Sequence, residues 1–454
     1  MRVHFIAIGG SAMHNLAIAL KLKGYDVTGS DDEIFEPALS RLKKYGIMPD
    51  EPGWSPGRIH EGLDAIILGM HAKKDNPELL KAEDLGLKIF SYPEFLYEQS
   101  KDKIRVVIAG SHGKTTITSM ILHVLQDAGI DADYMVGAQL EGFEVMVKLS
   151  GSANYMVIEG DEYLTSALDP RPKFHLYRPH IALISGIAWD HMNVFPTFGN
   201  YISQFGQFID LIEPGGSLIY CASDPEVNKL AGTTHRDIHK FAYGNLAYRM
   251  EGQKAVLMVG NKEVPLLVFG RHNIQNIHGA MLVCSQMGVS EEMFLESIRS
   301  FKGASKRLQL LKSNAETSVF KDFAHAPSKL QATISAVKEL HPNRKLVACI
   351  ELHTYSSLNK EFLPLYEGCM ELADIPIVYF SHHALALKRL PELSTEDVKT
   401  AFRDDRLLIF NDSEEMLEYL LSLDYRNRDL LLMSSGNFDG LELDEIAAEI
   451  VHYS

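Results

Sequence analysis

Ala109-Gly110-Ser111-His112-Gly113-Lys114-Thr115-Thr116 decides how this chain folds, because an apolar run, Ile104 to Ala109, leads into it and a helix-forming run, Ile117 to Leu125, leads out. Strand, glycine-rich turn and helix in that order make a cradle for a triphosphate. Glycines let backbone N–H groups close around phosphate oxygens, the helix N-terminus adds positive potential, a lysine reaches the terminal phosphates, and a hydroxyl ligates magnesium. Lys114 and Thr115 fit the last two roles, and Gly110, Ser111, His112, Gly113 and Thr116 complete the loop. The longer form of this loop needs a glycine where Ile108 stands, so the chain carries the shorter G-x-x-G-K-T form. A plain glycine turn with an incidental lysine is the bland alternative; the flanking runs favour an ATP site.

Outward on the N-terminal side, residues 1–100 alternate β-like and helix-like runs: Val3 to Ile8, Met13 to Lys23, Asp26 to Gly29, Pro37 to Tyr45, Ala65 to Leu68 and Asn76 to Leu85. Such alternation predicts a doubly wound parallel sheet. Gly9-Gly10-Ser11-Ala12 follows the first strand and Ser30-Asp31 the second, where that fold takes nucleotide phosphates and sugar or base. Ala7 and Ala12 stand where the dinucleotide fingerprint has glycines. A nucleotide diphosphate is therefore favoured over NAD or FAD, with a mere tight turn as the third reading.

On the C-terminal side of the loop, strands are expected at Tyr155 to Ile158 and Ile181 to Ser185. Glu159-Gly160-Asp161-Glu162 sits directly after the first of these, and its carboxylate oxygens suit magnesium, with Glu159 facing the metal; a solvated acidic loop is the alternative. Asp190-His191 follows the next strand. Gly270-Arg271-His272-Asn273-Ile274-Gln275-Asn276 places two asparagines three apart on one face of a helix start, where they could read an adenine edge or, for Asn273, cap the helix. From Lys306 a further α/β segment begins, with strands expected at Val319 to Asp322, Leu346 to Ile350, Ile377 to Phe380 and Leu430 to Met433, and helices at Lys329 to Leu340 and Glu361 to Ala373. Lys306 and Arg307 could stabilise phosphate charge and Asp322 could accept ribose hydroxyls, beside the turn Ala324-His325-Ala326-Pro327.

The 454 residues suggest about three domains, and 46% hydrophobic with 23% charged residues is ordinary for a globular protein. A formal net charge of −16 argues against a nucleic-acid or anionic-membrane surface. No apolar segment approaches the length of about 18 residues that a membrane helix needs, and the apolar N-terminus runs at once into Gly9-Gly10, as a first strand does. Cys221, Cys284, Cys349 and Cys369 are scattered without C-x-x-C spacing, so they read as small core residues in a reducing, cytoplasmic setting.

Taken in order, the motifs resemble the Mur ligase family, ATP-dependent amide-forming enzymes of peptidoglycan synthesis. Gly110 to Thr116 is similar to the family's G-T-x-G-K-T-T, Glu159 to Glu162 to E-A-D-E, Asp190-His191-Met192 to D-H-M/L, Gly270 to Asn276 to G-x-H-N-x-x-N, and Asp322 to Pro327 to D-Y-A-H-x-P. The resemblance implies an α/β, three-domain Mur ligase architecture: a Rossmann-like UDP-sugar domain at 1–100, a P-loop ATPase domain at 101–305, and a Rossmann-like domain at 306–454 that brings the amine substrate and closes over ATP. It further implies ATP and Mg²⁺ as cofactors. Catalytic roles fall on Lys114, Glu159 and His191, and metal ligation on Thr115, Glu159 and His191. Nucleotide contacts extend to His272, Asn273, Asn276, Arg307 and Asp322. UDP-N-acetylmuramate would touch Gly9, Gly10, Ser11, Ser30, Asp31 and His71, with His325 at the closed site, although a prolyl turn alone would also explain that histidine.

Within the family, His4 to Gly10 and Asp75-Asn76-Pro77-Glu78 resemble the branches that add either L-alanine or the tripeptide L-Ala-γ-D-Glu-meso-diaminopimelate to UDP-N-acetylmuramate. Asp161-Glu162-Tyr163 and the long connection Asp169 to Pro179, with Ser435-Gly436-Asn437-Phe438-Asp439-Gly440, resemble the tripeptide branch. Glu351-Leu352-His353-Thr354-Tyr355 keeps the H-x-Y of the alanine branch without its arginines. Several family members use a carbamylated lysine after the D-H motif, yet no lysine occurs between Lys173 and Lys229, and Gly206 stands about where it would fall. The expected reaction is tripeptide addition through an acyl phosphate, with L-alanine addition as the alternative.

Overall fold

The computed structural model describes residues 1–140, 142–166, 168–304 and 307–453. These residues form a mixed α/β structure with four sheets, divided between two compact units. The first unit comprises Met1–Ile187, Ile202–Gly244 and Ile277–Ile298; the second comprises Ala188–Tyr201, Asn245–Asn276 and the chain from Arg299 onward. No helix among the described residues is long and apolar enough to cross a membrane.

In the first unit, Arg2–Ile6 lies between Asp26–Ser30 and Ala65–Leu68 in a parallel sheet completed by Ile89–Ser91. Its helices begin where local chemistry starts them. Asn76 Oδ1 accepts from the N–H groups of Glu78 and Leu79 at the head of helix Pro77–Asp84, and Ser91 with Glu94 forms a capping box for helix Tyr92–Ser100. Ala7, where the dinucleotide fingerprint has glycine, adopts the left-handed backbone that glycine favours (φ 69°), so the turn keeps its shape with an alanine in it.

The second sheet of this unit carries the phosphate loop. Ile104–Ala109 pairs with Tyr155–Glu159 on one side and Ile181–Ile184 on the other. Ser217–Cys221 and His239–Tyr243 extend the sheet beyond Ile181–Ile184, and Ala132–Met135 and Val147–Lys148 beyond Tyr155–Glu159. Leaving Ile104–Ala109 through helix Lys114–Asp127, the chain passes first to Ala132–Met135 and later to strands on the opposite side. The order reverses at Ile104–Ala109, and the C-terminal ends of that strand and its two neighbours make the crevice where such sheets bind ligands. Val106, Val107, Ile108 and Ala109 are all fully buried, as in a sheet covered on both faces.

Arg105 interrupts that apolar run and is itself buried. Its guanidinium donates to five carbonyls, those of Ser100, Lys101, Lys103, Tyr177 and Arg178, and pairs with Glu213 at 3.2 Å. The strand therefore starts on a charge that backbone dipoles neutralise.

The second unit holds a small antiparallel sheet, Ala247–Glu251, Lys254–Val259 and Lys262–Pro265, which the sequence did not announce, and a six-stranded sheet. In the latter, Ser318–Asp322, Arg428–Met433, Lys345–Leu352, Ile375–Phe380 and Leu408–Phe410 run parallel, with Gln309–Ser313 antiparallel at one edge. Ala348 and Ile350 face one apolar core, and Val347 and Cys349 face another on the opposite side. The last strand, Arg428–Met433, inserts between Ser318–Asp322 and Lys345–Leu352 and makes a second reversal of strand order. Helix Pro327–Leu340 begins on its proline, which needs no N–H in the first turn.

One expected helix is corrected. Over Glu361 to Ala373 the chain forms only a 3-10 turn, Leu363–Tyr366, because Pro364 removes a donor at its start and Gly368 turns left-handed (φ 74°) just after it. All four cysteines are free and buried.

Candidate active site

At the crevice of the first unit, Gly110 (φ 127°) and Gly113 (φ 76°) take backbone conformations that favour glycine, and Gly113 starts helix Lys114–Asp127 without a side-chain cap. The loop is laced to the neighbouring strand ends. Ser111 N–H donates to Gly186 O at 2.9 Å, Gly160 N–H to Ile108 O at 2.8 Å, and Ser185 Oγ to Ala109 O at 3.2 Å and to His112 O. A side chain at Gly110 would run into Ser185, so the close approach requires glycine.

Lys114 Nζ donates to Gly110 O and to Glu162 Oε2, each at 2.6 Å. Thr115 Oγ1 donates to Glu159 Oε1 at 2.7 Å, and Gly137 N–H donates to Glu159 Oε2 at 2.9 Å. The acidic motif is pinned in turn: Lys173 Nζ donates to Asp161 Oδ2 at 2.6 Å and Tyr163 N–H to Asp161 Oδ1 at 3.1 Å. Burial alone would lower the pKa of Lys114, but the carboxylates of Glu162, Asp161 and Glu159 outweigh it and hold the ammonium above the usual lysine range. Burial likewise opposes the charge on Asp161, yet Lys173 and Lys114 hold its carboxyl well below the usual carboxylate range. The result is a fixed cation in a glycine loop, beside a hydroxyl and a carboxylate that already share a hydrogen bond. A hard cation takes such oxygens, so Thr115 and Glu159 fit a magnesium ion. Among the described residues, no group of three or more His, Cys, Asp or Glu forms a ready metal cluster.

Also in this unit, Gly9 N–H donates to Asp31 Oδ2 at 2.7 Å and the N–H groups of Ala7 and Ile8 to Ser30 O. Burial lifts the Asp31 carboxyl to about 6, against the hydrogen bond from Gly9. The segment after the first strand, with Gly9 and Gly10, is thus tied to the end of the second strand at Ser30 and Asp31, while Ser11 and His71 are exposed. The side chain of Ser30 points inward, donating to the fully buried Glu78, which also accepts from Ser55 N–H at 2.8 Å.

The second unit unites motifs that the sequence separates. His191 takes a left-handed backbone (φ 56°), and its N–H donates to Asp190 Oδ1 at 2.7 Å. Asp190 Oδ2 lies 3.9 Å from His325 Nε2 and 3.9 Å from Lys329 Nζ, joining Asp190-His191 to the turn before helix Pro327–Leu340. Burial lowers the pKa of His325, with Lys329 adding to it. Asp190 stays well below the usual carboxylate range, because His325, His191 and Lys329 outweigh its burial. The Asp322 carboxylate accepts from the N–H groups of Leu308 and Ala324 at 2.8 and 2.7 Å and from Thr333 Oγ1 at 3.3 Å, so it organises the turn. Burial pushes its pKa up, although Arg307 pulls the other way. Arg307 stacks over Phe323 at 4.9 Å, and Lys306 lies outside the described residues. Asn273 donates to Phe269 O at 2.9 Å, Asn276 is buried, and His272 is partly buried on the same helix start.

The second reversal of strand order brings Glu351 and His353 beside Ser434, Ser435 and Gly436. Glu351 is buried and accepts from Ser434 Oγ and from Phe438 N–H at 2.9 Å, with His353 Nδ1 3.4 Å away. Burial works against its charge, but His353 and Ser434 hold its carboxyl below the usual range. Among the described residues, the buried Ser435 Oγ finds no hydrogen-bond partner, and Glu351 is the one polar group beside His353 Nδ1.

Reading the sequence alone missed Glu162 as the partner of Lys114, Lys173 as the clamp on Asp161, Ser185 beneath the loop, and Lys329 beside Asp190. The acidic tract was visible, but nothing in its spacing told which carboxylate meets the lysine.

Two family models match the chain: Mur ligase family, catalytic domain, over residues 2–103, and Mur ligase middle domain over residues 108–284. The UDP-N-acetylmuramate–L-alanine ligase of Carboxydothermus hydrogenoformans is 33% identical over 379 residues, 80% of this chain and 79% of that protein. Two solved structures share the fold over the whole chain. A murein peptide ligase from Psychrobacter arcticus aligns with a TM-score of 0.67 and 22% identity, over 100% of this chain and 99% of that one. The UDP-N-acetylmuramate–alanine ligase of Thermotoga maritima aligns with a TM-score of 0.71 and 21% identity, over 100% and 98%. With the phosphate loop, the acidic motif and the Asp190-His191 turn placed as described, the chain belongs to the Mur ligase family of ATP-dependent, amide-bond-forming ligases of peptidoglycan biosynthesis.

Proposed function

We propose that the chain joins the tripeptide L-Ala-γ-D-Glu-meso-diaminopimelate to UDP-N-acetylmuramate at the expense of ATP. The muramyl carboxylate oxygen attacks the γ-phosphorus and ADP departs; the peptide amine then attacks the acyl carbon, losing a proton as phosphate leaves. Residues 1–100 carry the UDP-sugar site at Gly9, Gly10, Ser11, Ser30, Asp31 and His71, residues 101–305 the ATP site, and residues 306–454 the amine substrate. Lys114 neutralises charge on the transferred phosphoryl group, the loop N–H groups orient it, and His272, Asn273, Asn276, Arg307 and Asp322 serve the nucleotide. Thr115 and Glu159 would hold magnesium, which supplies charge neutralisation when bound; His191 keeps its ligand role, and His325 its substrate role, by resemblance alone.

The observation that carries the choice of acceptor is the crevice at Glu351, His353, Ser434 and Ser435. Free L-alanine brings a carboxylate next to its reacting amine, and a buried ionised Glu351 repels it; in the tripeptide that carboxylate is a neutral amide, which Ser435 Oγ, with no partner among the described residues, can bond beside His353. The connection after Glu162, in which Thr165 N–H donates to Arg171 O at 2.9 Å and Lys173 Nζ to Asp161, further supports this reading. L-alanine is the second reading, favoured by the substrate named for the Carboxydothermus relative. ADP release with UDP-N-acetylmuramate, Mg²⁺ and either acceptor separates them: the tripeptide should be preferred by its kcat/KM, and a preference for L-alanine overturns the assignment.

A further inference from the structure

We propose that Glu162 is a positioning residue that occupies Lys114 in place of a terminal phosphate, so that the loop accepts a triphosphate only together with a divalent cation. The inference rests on the phosphate-loop reading above. Glu162 is 1% exposed, and its Oε2 touches the ammonium at 2.6 Å. The two neighbouring carboxylates are engaged elsewhere: Glu159 by Thr115 Oγ1 and Gly137 N–H, Asp161 by Lys173 Nζ and Tyr163 N–H. Glu162 cannot swing away freely, since its flanks are tied down: Lys173 N–H donates to Tyr163 O at 2.9 Å and Phe174 N–H to Asp161 O at 3.1 Å.

Glu159, Asp161 and Glu162 face Lys114 and Lys173, so this pocket already carries more negative than positive charge. A phosphate that reaches Lys114 meets the Glu162 carboxylate at close range, and in a poorly solvated site that repulsion is strong. A divalent cation held by Thr115 and Glu159 restores the balance. Lys114 then bridges carboxylate and phosphate without leaving its place. The latch keeps the loop in its binding geometry while empty, and it makes metal-free nucleotide a poor ligand.

The test is nucleotide binding by isothermal titration calorimetry, with Mg²⁺ or with excess chelator, on the wild-type chain, Glu162→Gln and Glu162→Asp. Wild type should bind metal-free ATP at least tenfold more weakly than MgATP, on the order expected for one close like-charge contact. Glu162→Gln should recover about tenfold of metal-free affinity while MgATP affinity changes less than about threefold. Glu162→Asp keeps the charge and should behave as wild type. The proposal is overturned if Glu162→Gln gains no metal-free affinity, or if Glu162→Asp gains as much. Failure of wild type to bind MgATP would instead overturn the phosphate-loop reading. Should Glu162→Gln not fold, wild type decides alone: metal-free ATP binding more tightly than metal-free ADP overturns the proposal, and the reverse order supports it.

Discussion

Arg105→Met separates what holds the central sheet together from what it does chemically. The side chain is 2% exposed and donates to five carbonyls. Those of Tyr177 and Ser100 are reached in buried surroundings, and Ser100 O keeps the Lys103 N–H at 3.0 Å, whereas those of Lys101 and Lys103 lie on the partly exposed linker and can return to water. The buried Tyr177 carbonyl left without a donor costs about 1–3 kcal/mol, and the partly solvated Glu213 loses a partner at 3.2 Å. Methionine restores part of the lost packing, so the net loss should be about 3 kcal/mol. At about 2–4 °C per kcal/mol for domains of this size, calorimetry should show Tm falling by about 6–12 °C. Arg105→Lys, with an ammonium in place of the fork, should lose about half as much. ADP release at 25 °C should persist in both, because Arg105 begins the strand whose far end carries the phosphate loop. A Tm within about 2 °C of wild type for Arg105→Met would refute the claim that these carbonyls depend on the guanidinium.

Lys114→Ala should lower ATP turnover at least about a hundredfold, since it removes the cation that meets the transferred charge; near-normal turnover sinks the loop assignment. Ser185→Ala withdraws the hydroxyl from Ala109 O and His112 O, so ATP affinity measured by calorimetry should fall about fivefold, the equivalent of about 1 kcal/mol. Asp31 has a folded-state pKa raised to about 6, so the folded protein holds its proton more tightly than the unfolded chain; its contribution is full below pH 4 and disappears as pH rises through 6. Melting curves should therefore show wild type losing stability relative to Asp31→Asn between about pH 4 and 6.5, by about 2 kcal/mol, and parallel curves would refute the shift. His353→Ala should raise KM for the amine substrate several-fold and leave KM for UDP-N-acetylmuramate unchanged; equal effects on both would remove the histidine from the acceptor crevice.

The parts of the fold that sequence discloses are those fixed by neighbours in the chain. The alternation of apolar runs with glycine turns marks Arg2–Ile6, Ile104–Ala109 and Tyr155–Glu159 because parallel strands bury both faces and end in turns with special backbone needs. The same reasoning errs where composition and backbone disagree. Glu361 to Ala373 has helix-forming residues, but Pro364 and Gly368 outvote them. Ile104 to Ala109 reads as apolar although Arg105 is in it, and only the convergence of Ser100, Lys101, Lys103, Tyr177 and Arg178 explains how it is buried.

In the candidate site the boundary between legible and hidden runs along contact distance in sequence. Motif order gave Gly110, Gly113, Lys114, Thr115 and Glu159, since each sits at a strand end whose position the alternation sets. The pairings between motifs were hidden: Lys114 with Glu162 across 48 positions, Asp190 with His325, and Glu351 with Ser434 across 83. Such pairs decide charge, and charge decides chemistry. A lysine beside Glu159 alone would wait for phosphate as a free cation, while a lysine already bonded to Glu162 must take phosphate beside an anion that stays in place. The difference shows in how steeply nucleotide affinity depends on Mg²⁺, a quantity that no motif in the chain reports and that a single carboxamide at position 162 should change.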